Sequence, residues 1–275
     1  MLWLHVSLST IALLLALAVP PDASLTLASP GQALAARALH MSGAERARAL
    51  SSLPLAERDA FYHSLSVADL LALGRKSLPG LGVYQARVTR VERVEDRVHG
   101  PDTVEVTVRE SPRAVRLEFV AGTHKGRRAL YNAELRPKEM LARESGVLGF
   151  VSMWLALDSR LTHRYSNHNI TEVGFGAMMD TMQVEQARAA PAGGYGRIDE
   201  GFDARGLFCM FFTAPSGARG LYAQRLRYCV EGGLGLPMKI EVFDDSGRRE
   251  YVEYENLRVR QSLGDDFFTP TAAGL

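Results

Sequence analysis

Cysteine is scarce in this chain of 275 residues: there are two, Cys209 and Cys229. Neither follows the apolar N-terminal run, which excludes a bacterial lipid anchor on a cysteine there. Charge of one sign is also lacking. Lys and Arg number 32 against 31 Asp and Glu, a formal net charge of +1. Such a balance provides no basic surplus for neutralising phosphates, so non-specific nucleic-acid binding is not expected. Long hydrophobic runs are missing as well. The longest runs from Val6 to Val19, short of the roughly 20 apolar residues of a membrane-spanning helix. A Gly-x-Ser-x-Gly nucleophile elbow is absent. The glycine clusters Gly193-Gly194-Tyr195-Gly196 and Gly232-Gly233-Leu234-Gly235 are not followed by Lys-Ser/Thr or a helix start, which argues against phosphate cradling. What remains is ordinary globular composition, 47% hydrophobic and 23% charged.

The N-terminal run ends in Pro20-Pro21 and offers Ala16-Leu17-Ala18 as a small-residue cleavage site. Its length fits a secretory signal over residues 1–18, although no Lys or Arg precedes it. The competing assignments are a buried helix and a retained anchor. An exported, periplasmic protein is expected, soluble after cleavage and without a membrane span. Residues 19–77 are expected to form a helical extension and residues 78–275 the main domain. From Gly31 to Ser77 the pattern is helical, with Ser52-Leu53-Pro54 and Ser66-Val67-Ala68-Asp69 as helix starts and Pro79-Gly80 as the end.

Beyond Gly80 the period changes to 2. Tyr84, Ala86 and Val88 alternate with polar residues, as do Val104, Val106 and Val108, and then Val115, Leu117 and Phe119. This predicts antiparallel strands with one buried face. Val98–Asp102 and Glu110–Pro112 read as links, and Arg127–Asn132 as a further strand. Gly146–Leu157 is apolar nearly all round and predicts a buried helix. Glu172–Gln186 predicts a second helix, with Phe175, Met178, Met179 and Met182 on one face. A last hairpin is expected to turn at Asp244–Gly247. Helices, strands, two inserted helices and strands again make an α+β architecture.

Gly206–Thr213 and Arg225–Val230 read as paired strands. If opposed residue numbers sum to 438, Phe208, Met210 and Phe212 meet Val230, Tyr228 and Leu226 on one apolar face. Cys209 then lies opposite Cys229. A one-residue slip would set apolar against polar faces. Opposed residues are within disulfide reach, and an exported chain favours the bridge over two free thiols.

Several segments in order resemble a known group: Leu81–Val94, Arg109–Phe119, Leu157–Gly174, Gly235–Phe243 and Asp265–Pro270. Together, over residues 67–270, they look like an exported bacterial family of unknown function related to the LolA/LolB lipoprotein-carrier superfamily. The resemblance implies a strongly curved antiparallel half-barrel wrapped around helices, non-enzymatic, with a cavity for acyl chains of lipid or lipoprotein. No acyl-binding residue is matched position by position.

Two sets of residues are candidates for function. Phe150, Trp154, Phe175, Met178, Met179 and Met182 are expected either to line a ligand cavity or to fill a plain core; methionine adapts to varied apolar ligands. His163, His168 and Glu172 form the most polar segment. They read as a connecting loop whose side chains bond backbone groups, or as a polar clamp or metal site for a hydrolase. A helix starting near Thr171 would weaken the His168–Glu172 pairing, and the spacing matches no strong zinc signature. No cofactor and no metal is expected. An envelope interaction module binding a protein partner, without ligand, is the main alternative to a carrier.

Overall fold

A computed structural model describes residues 28–146, 149, 151–260 and 263–275. The proposed signal segment lies outside the described residues.

Four helices come first: α1 (Pro30–Ala38), α2 (Gly43–Ser51), α3 (Leu55–His63) and α4 (Val67–Leu81). Ser29, Ser42 and Ser66 each close a reciprocal capping box with the residue three positions on, so α1, α2 and α4 begin where their sequences place a serine before Gln, Glu or Asp. Pro54 stands at the cap of α3 rather than in its first turn. The expected stop at Pro79-Gly80 is overrun, because α4 carries Pro79 inside it and ends at Leu81. Gly82 follows with a positive φ of 56°, a backbone region glycine enters without strain.

Eleven strands form one antiparallel sheet. They are β1 (Val83–Val94), β2 (Arg97–Arg109), β3 (Ala114–Ala121), β4 (Arg128–Asn132), β5 (Glu139–Arg143), β6 (Ser152–Ala156), β7 (Gly196–Phe202), β8 (Leu207–Thr213), β9 (Arg225–Glu231), β10 (Pro237–Asp244) and β11 (Gly247–Val259). Their order is β6-β5-β4-β3-β2-β1-β11-β10-β9-β8-β7. Two meanders therefore meet at the β1–β11 pair. Between them lies α5 (Phe175–Ala189), and a short α6 (Pro270–Ala273) ends the chain.

Three expectations are corrected here. Gly146–Leu157 is not a helix: its second half is the edge strand β6, which hydrogen-bonds to β5. Continuous apolar character marked a two-sided environment, and a strand with Leu155 on one face and Trp154 on the other satisfies it equally well. Val98–Asp102 is not a link, since β2 runs through it and the turn falls at Glu95-Asp96. The last inserted helix begins at Phe175, not Glu172. A single 3-10 turn at Ile170–Glu172, capped by the Asn169 side chain, precedes it.

The sheet curves into a half-barrel. Side chains from β3 and β4 at one side and from β9 and β10 at the other face the same interior space, which a flat sheet of that width would not permit. The principal core fills this concave side. Helices α3 and α4 close it over β7–β9, where Tyr62 stacks on Phe208 with ring centroids 4.7 Å apart. Arg46 of α2 is buried here and donates to the carbonyls of Leu73 and Leu234 and to Ser77 Oγ, linking α2, α4 and the β9–β10 turn. A smaller core on the other face joins Val83, Ala114, Leu130 and Leu141 to Phe268 and Ala273.

Within the second meander the register is the expected one. Phe208, Cys209, Met210 and Phe212 oppose Val230, Cys229, Tyr228 and Leu226. Cys209 and Cys229 are joined in a disulfide, with Cα atoms 4.0 Å apart.

Candidate apolar cavity beneath a polar strap

Where β1–β5 curve away from the helices, the concave side is not filled. A cavity of about 220 Å³ remains. Its floor is the inward register of the strands: Val88, Val104, Leu117 and Ala129 on one side, Leu226, Ile240 and Val252 on the other. Period-2 alternation produces this lining directly, since every second residue of each strand points to the concave face. The roof is made by α5, through Met178, Thr181 and Met182, and by the segment 157–174 that crosses from β6 to α5.

Inward-facing positions turn polar at one end. Along β1 the sequence Val88, Arg90, Glu92 stays on the cavity face. Glu92 lies directly opposite Glu250 of β11, and both are 3% exposed. Two buried carboxylates side by side are costly unless compensated. Compensation comes from above, from the segment Tyr165–Glu172. The Asn167 backbone N–H donates to Glu92 Oε2 at 2.8 Å, and Ser166 Oγ donates to Glu92 Oε1 at 3.2 Å. Asn167 Nδ2 donates to Glu250 Oε1 at 3.0 Å. His168 stands between two carboxylates, with Nδ1 2.7 Å from Glu172 Oε2 and Nε2 2.9 Å from Glu250 Oε2. Arg90 Nη1 is 3.2 Å from Glu92 Oε1, and its Nη2 donates to the Tyr165 carbonyl at 2.6 Å.

Burial by itself pushes the His168 imidazole toward its neutral form. Hydrogen bonds to Glu172 and Glu250, with the negative charge of Glu250 and Glu92, outweigh that and push its pKa up to about 10. The hydrogen bond from His168 holds the Glu172 carboxyl below its ordinary value despite partial burial. His168 is therefore an imidazolium, both of whose nitrogens are donors. Among the described residues, no group of three His, Cys, Asp or Glu side chains is placed to hold a metal ion. The segment is a strap, tied to the central strand pair by charge-assisted hydrogen bonds and covering the cavity.

The structure separates the candidate residues. Met178 and Met182 line the cavity, with His168 and Glu172 at its polar end. His163 is not among the lining residues. Phe175 and Met179, both fully buried, belong to the packed core. Phe175 stacks on Tyr84 at 4.8 Å, and Met179 lies where α5 presses on Gly74 of α4, close enough that a Cβ on Gly74 would meet its Sδ at 2.6 Å. Trp154 is on the opposite face of the sheet, in the smaller core, with the Arg136 guanidinium 4.2 Å above its ring. Phe150 lies outside the described residues. Sequence reasoning missed Arg90, Glu92 and Glu250. Their signal was present: the inward alternation Tyr84, Ala86, Val88 continues onto Arg90 and Glu92, and polar residues at core-facing positions of a strand mark a special site.

Residues 82–273 match the family described as "Protein of unknown function (DUF1571)". The chain belongs to that family. No curated protein matches the sequence at a significant level. Among solved structures, this DUF1571 chain is similar to a LolA superfamily protein from Nitrosomonas europaea, at 16% identity and a TM-score of 0.34, over 76% of this chain and 99% of that one. It is similar to lipoprotein LppX from Mycobacterium tuberculosis, at 15% identity and a TM-score of 0.40, over 71% of this chain and all of that one. It is also similar to MucB in the Pseudomonas aeruginosa MucA/MucB complex, at 13% identity and a TM-score of 0.39, over 75% of this chain and 62% of that one. No helix among the described residues is long and apolar enough to cross a membrane.

Proposed function

We propose that this DUF1571 protein is an exported, non-enzymatic binder of a hydrophobic ligand, the acyl chain of a lipid or lipoprotein, held between the half-barrel and its roof. One observation carries this reading: a cavity of about 220 Å³, lined mainly by apolar side chains, is left open on the concave side of the sheet. Protein interiors pack with few voids larger than a water molecule, so a space of this size lined by aliphatic side chains is suited to an apolar guest. Met178 and Met182 supply a roof that adapts to chain length and kinks. The polar strap adds hydrogen-bonding groups at one end of the cavity. Export is supported by the apolar run Val6–Val19 with its Ala16-Leu17-Ala18 ending, and a disulfide suits an oxidising compartment.

Solvent extraction and mass spectrometry of the purified protein test the reading, paired with titration of a fluorescent fatty acid. Retained acyl species and saturable probe binding are expected. A protein that yields no lipid and leaves the probe free in solution would be an interaction module instead.

A further inference from the structure

The edge strand β6 and the turns beside it combine an open sheet edge, exposed apolar side chains and cations without an acidic partner. β6 ends the sheet, so one row of its backbone N–H and C=O groups has no ladder partner. Val151 and Met153 are 43% and 47% exposed along it, and Leu161 in the following turn is 57% exposed. Charge is concentrated at the same place. Residues 123–164 hold eight Lys or Arg against four Asp or Glu, a local balance of +4 where the whole chain carries +1. Three of these cations flank β6 directly. Arg143 opposes Ser152 in the β5–β6 ladder, the Lys138 carbonyl accepts from Leu157 N–H, and Arg160 lies in the turn after the strand. None of the three has a carboxylate within ion-pair distance among the described residues, whereas Glu134, Glu139 and Glu144 are each engaged by an arginine.

We infer that this edge is a docking surface for an anionic lipid bilayer. Exposed apolar side chains rimmed by unpaired cations match an interface of acyl carbon beneath negative headgroups. Uncompensated cations opposite a neutral partner would gain nothing from their clustering, while anionic phospholipid gives each of them a counter-charge. The location has a purpose in the fold. Met153 and Leu155 share the sheet face of Met140, which lines the cavity, so the apolar lip runs from the edge inward to the cavity wall. The surface claim stands on exposure and charge and does not require the cavity to hold lipid; with the ligand reading above, it names the side from which an acyl chain enters.

The test is co-sedimentation of the full protein with phosphatidylglycerol-containing vesicles and with pure phosphatidylcholine vesicles. Binding to the anionic vesicles, weakened by salt, is expected, with little binding to the neutral ones. Combined K138E, R143E and R160E should lower the partition coefficient at least about tenfold, while R48E with R219E, an equal class of charge change on the far half of the molecule, should leave it within about twofold. M153D with L161D should reduce binding that persists at high salt. All substituted positions are exposed except the half-buried Arg143, and thermal unfolding midpoints near the parent's verify that the variants fold. Equal binding to both vesicle types, binding to neither, or a triple variant that binds like the parent overturns the proposal. So does a concentration-dependent dimer formed through β6, which would assign the edge to strand pairing. Fluorescent fatty-acid binding in solution is measured on the same variants and is expected to be unchanged. Loss of vesicle binding alone sinks the docking surface; absence of acyl binding alone sinks the ligand reading.

Discussion

A single imidazole holds together the most highly charged part of the interior. With its folded-state pKa raised to about 10 from an ordinary 6.5, His168 contributes stability that is fully present below about pH 6.5 and declines as pH rises toward 10. Glu172 has the opposite sign: with its folded-state pKa lowered, its contribution is fully present above the ordinary value of 4.5 and is lost as pH falls below that through the lowered value. The strap is thus tied most firmly in the mildly acidic to neutral range. In an NMR titration the His168 ring should show no protonation step between pH 5 and 8; a midpoint near 6.5 would mean that the bridge between Glu172 and Glu250 is not formed. His168→Gln should cost about 2–4 kcal/mol at neutral pH, because Glu250 loses its cation while still facing Glu92, which keeps Arg90, as read from denaturant midpoints. The cavity gives a second pair of outcomes. Met182→Trp should block acyl-probe binding with a modest change in stability, since the added volume enters empty space. Trp154→Ala should leave probe binding intact and cost about 1–3 kcal/mol from the smaller core, less than a fully buried tryptophan because one face of the ring meets Arg136. Loss of probe binding in Trp154→Ala would place the ligand on the wrong side of the sheet for the reading above.

Among the elements, the β8–β9 ribbon is the one whose geometry followed from alternation alone. Phe208, Met210 and Phe212 have only one register in which they meet Val230, Tyr228 and Leu226, and that register brings Cys209 to Cys229. The double variant Cys209→Ala, Cys229→Ala should lose about 3 kcal/mol, the chain-entropy value for a closed loop of this length, and unreduced, denatured parent protein should take up no thiol label. The start of α4 was legible for the same kind of reason: Ser66 followed three residues later by Asp69 satisfies two orphan donors locally, and the same pattern at Ser29 and Ser42 was there to be read. Where environment outranked local pattern, sequence reasoning failed. Gly146–Leu157 is apolar nearly all round in sequence, and pairing with β5 makes Ser152–Ala156 a strand. β5 and β7 have too short or too polar a repeat to announce themselves: Glu139–Arg143 places Met140 and Leu141 on different faces, and Gly196–Phe202 holds three charged residues and two glycines without a clear period. The polar strap was visible as a segment, but its partners Glu92 and Glu250 are 158 residues apart in sequence and meet only through the β1–β11 pairing.

On the scale of the whole molecule, the fold is two meanders joined at their first and last strands. β1 to β6 run outward in one direction and β7 to β11 return inward from the other, so the seam at the centre of the sheet is the last to be supplied along the chain. Tyr84 pairs with Val259 across that seam. Closing a loop of such length costs conformational entropy before any contact repays it, and non-local pairing of this kind slows folding. Until β11 is available, β1 and β10 each present a bare edge, Glu92 lacks its opposite carboxylate, and the anchors of Asn167 and His168 on Glu250 do not exist. A growing or unravelled chain can therefore hold two half-sheets but no roofed cavity. The strap becomes a late reporter of completion: its order signals that both ends of the half-barrel have met, and an unfinished molecule has no enclosed space in which to trap a guest prematurely.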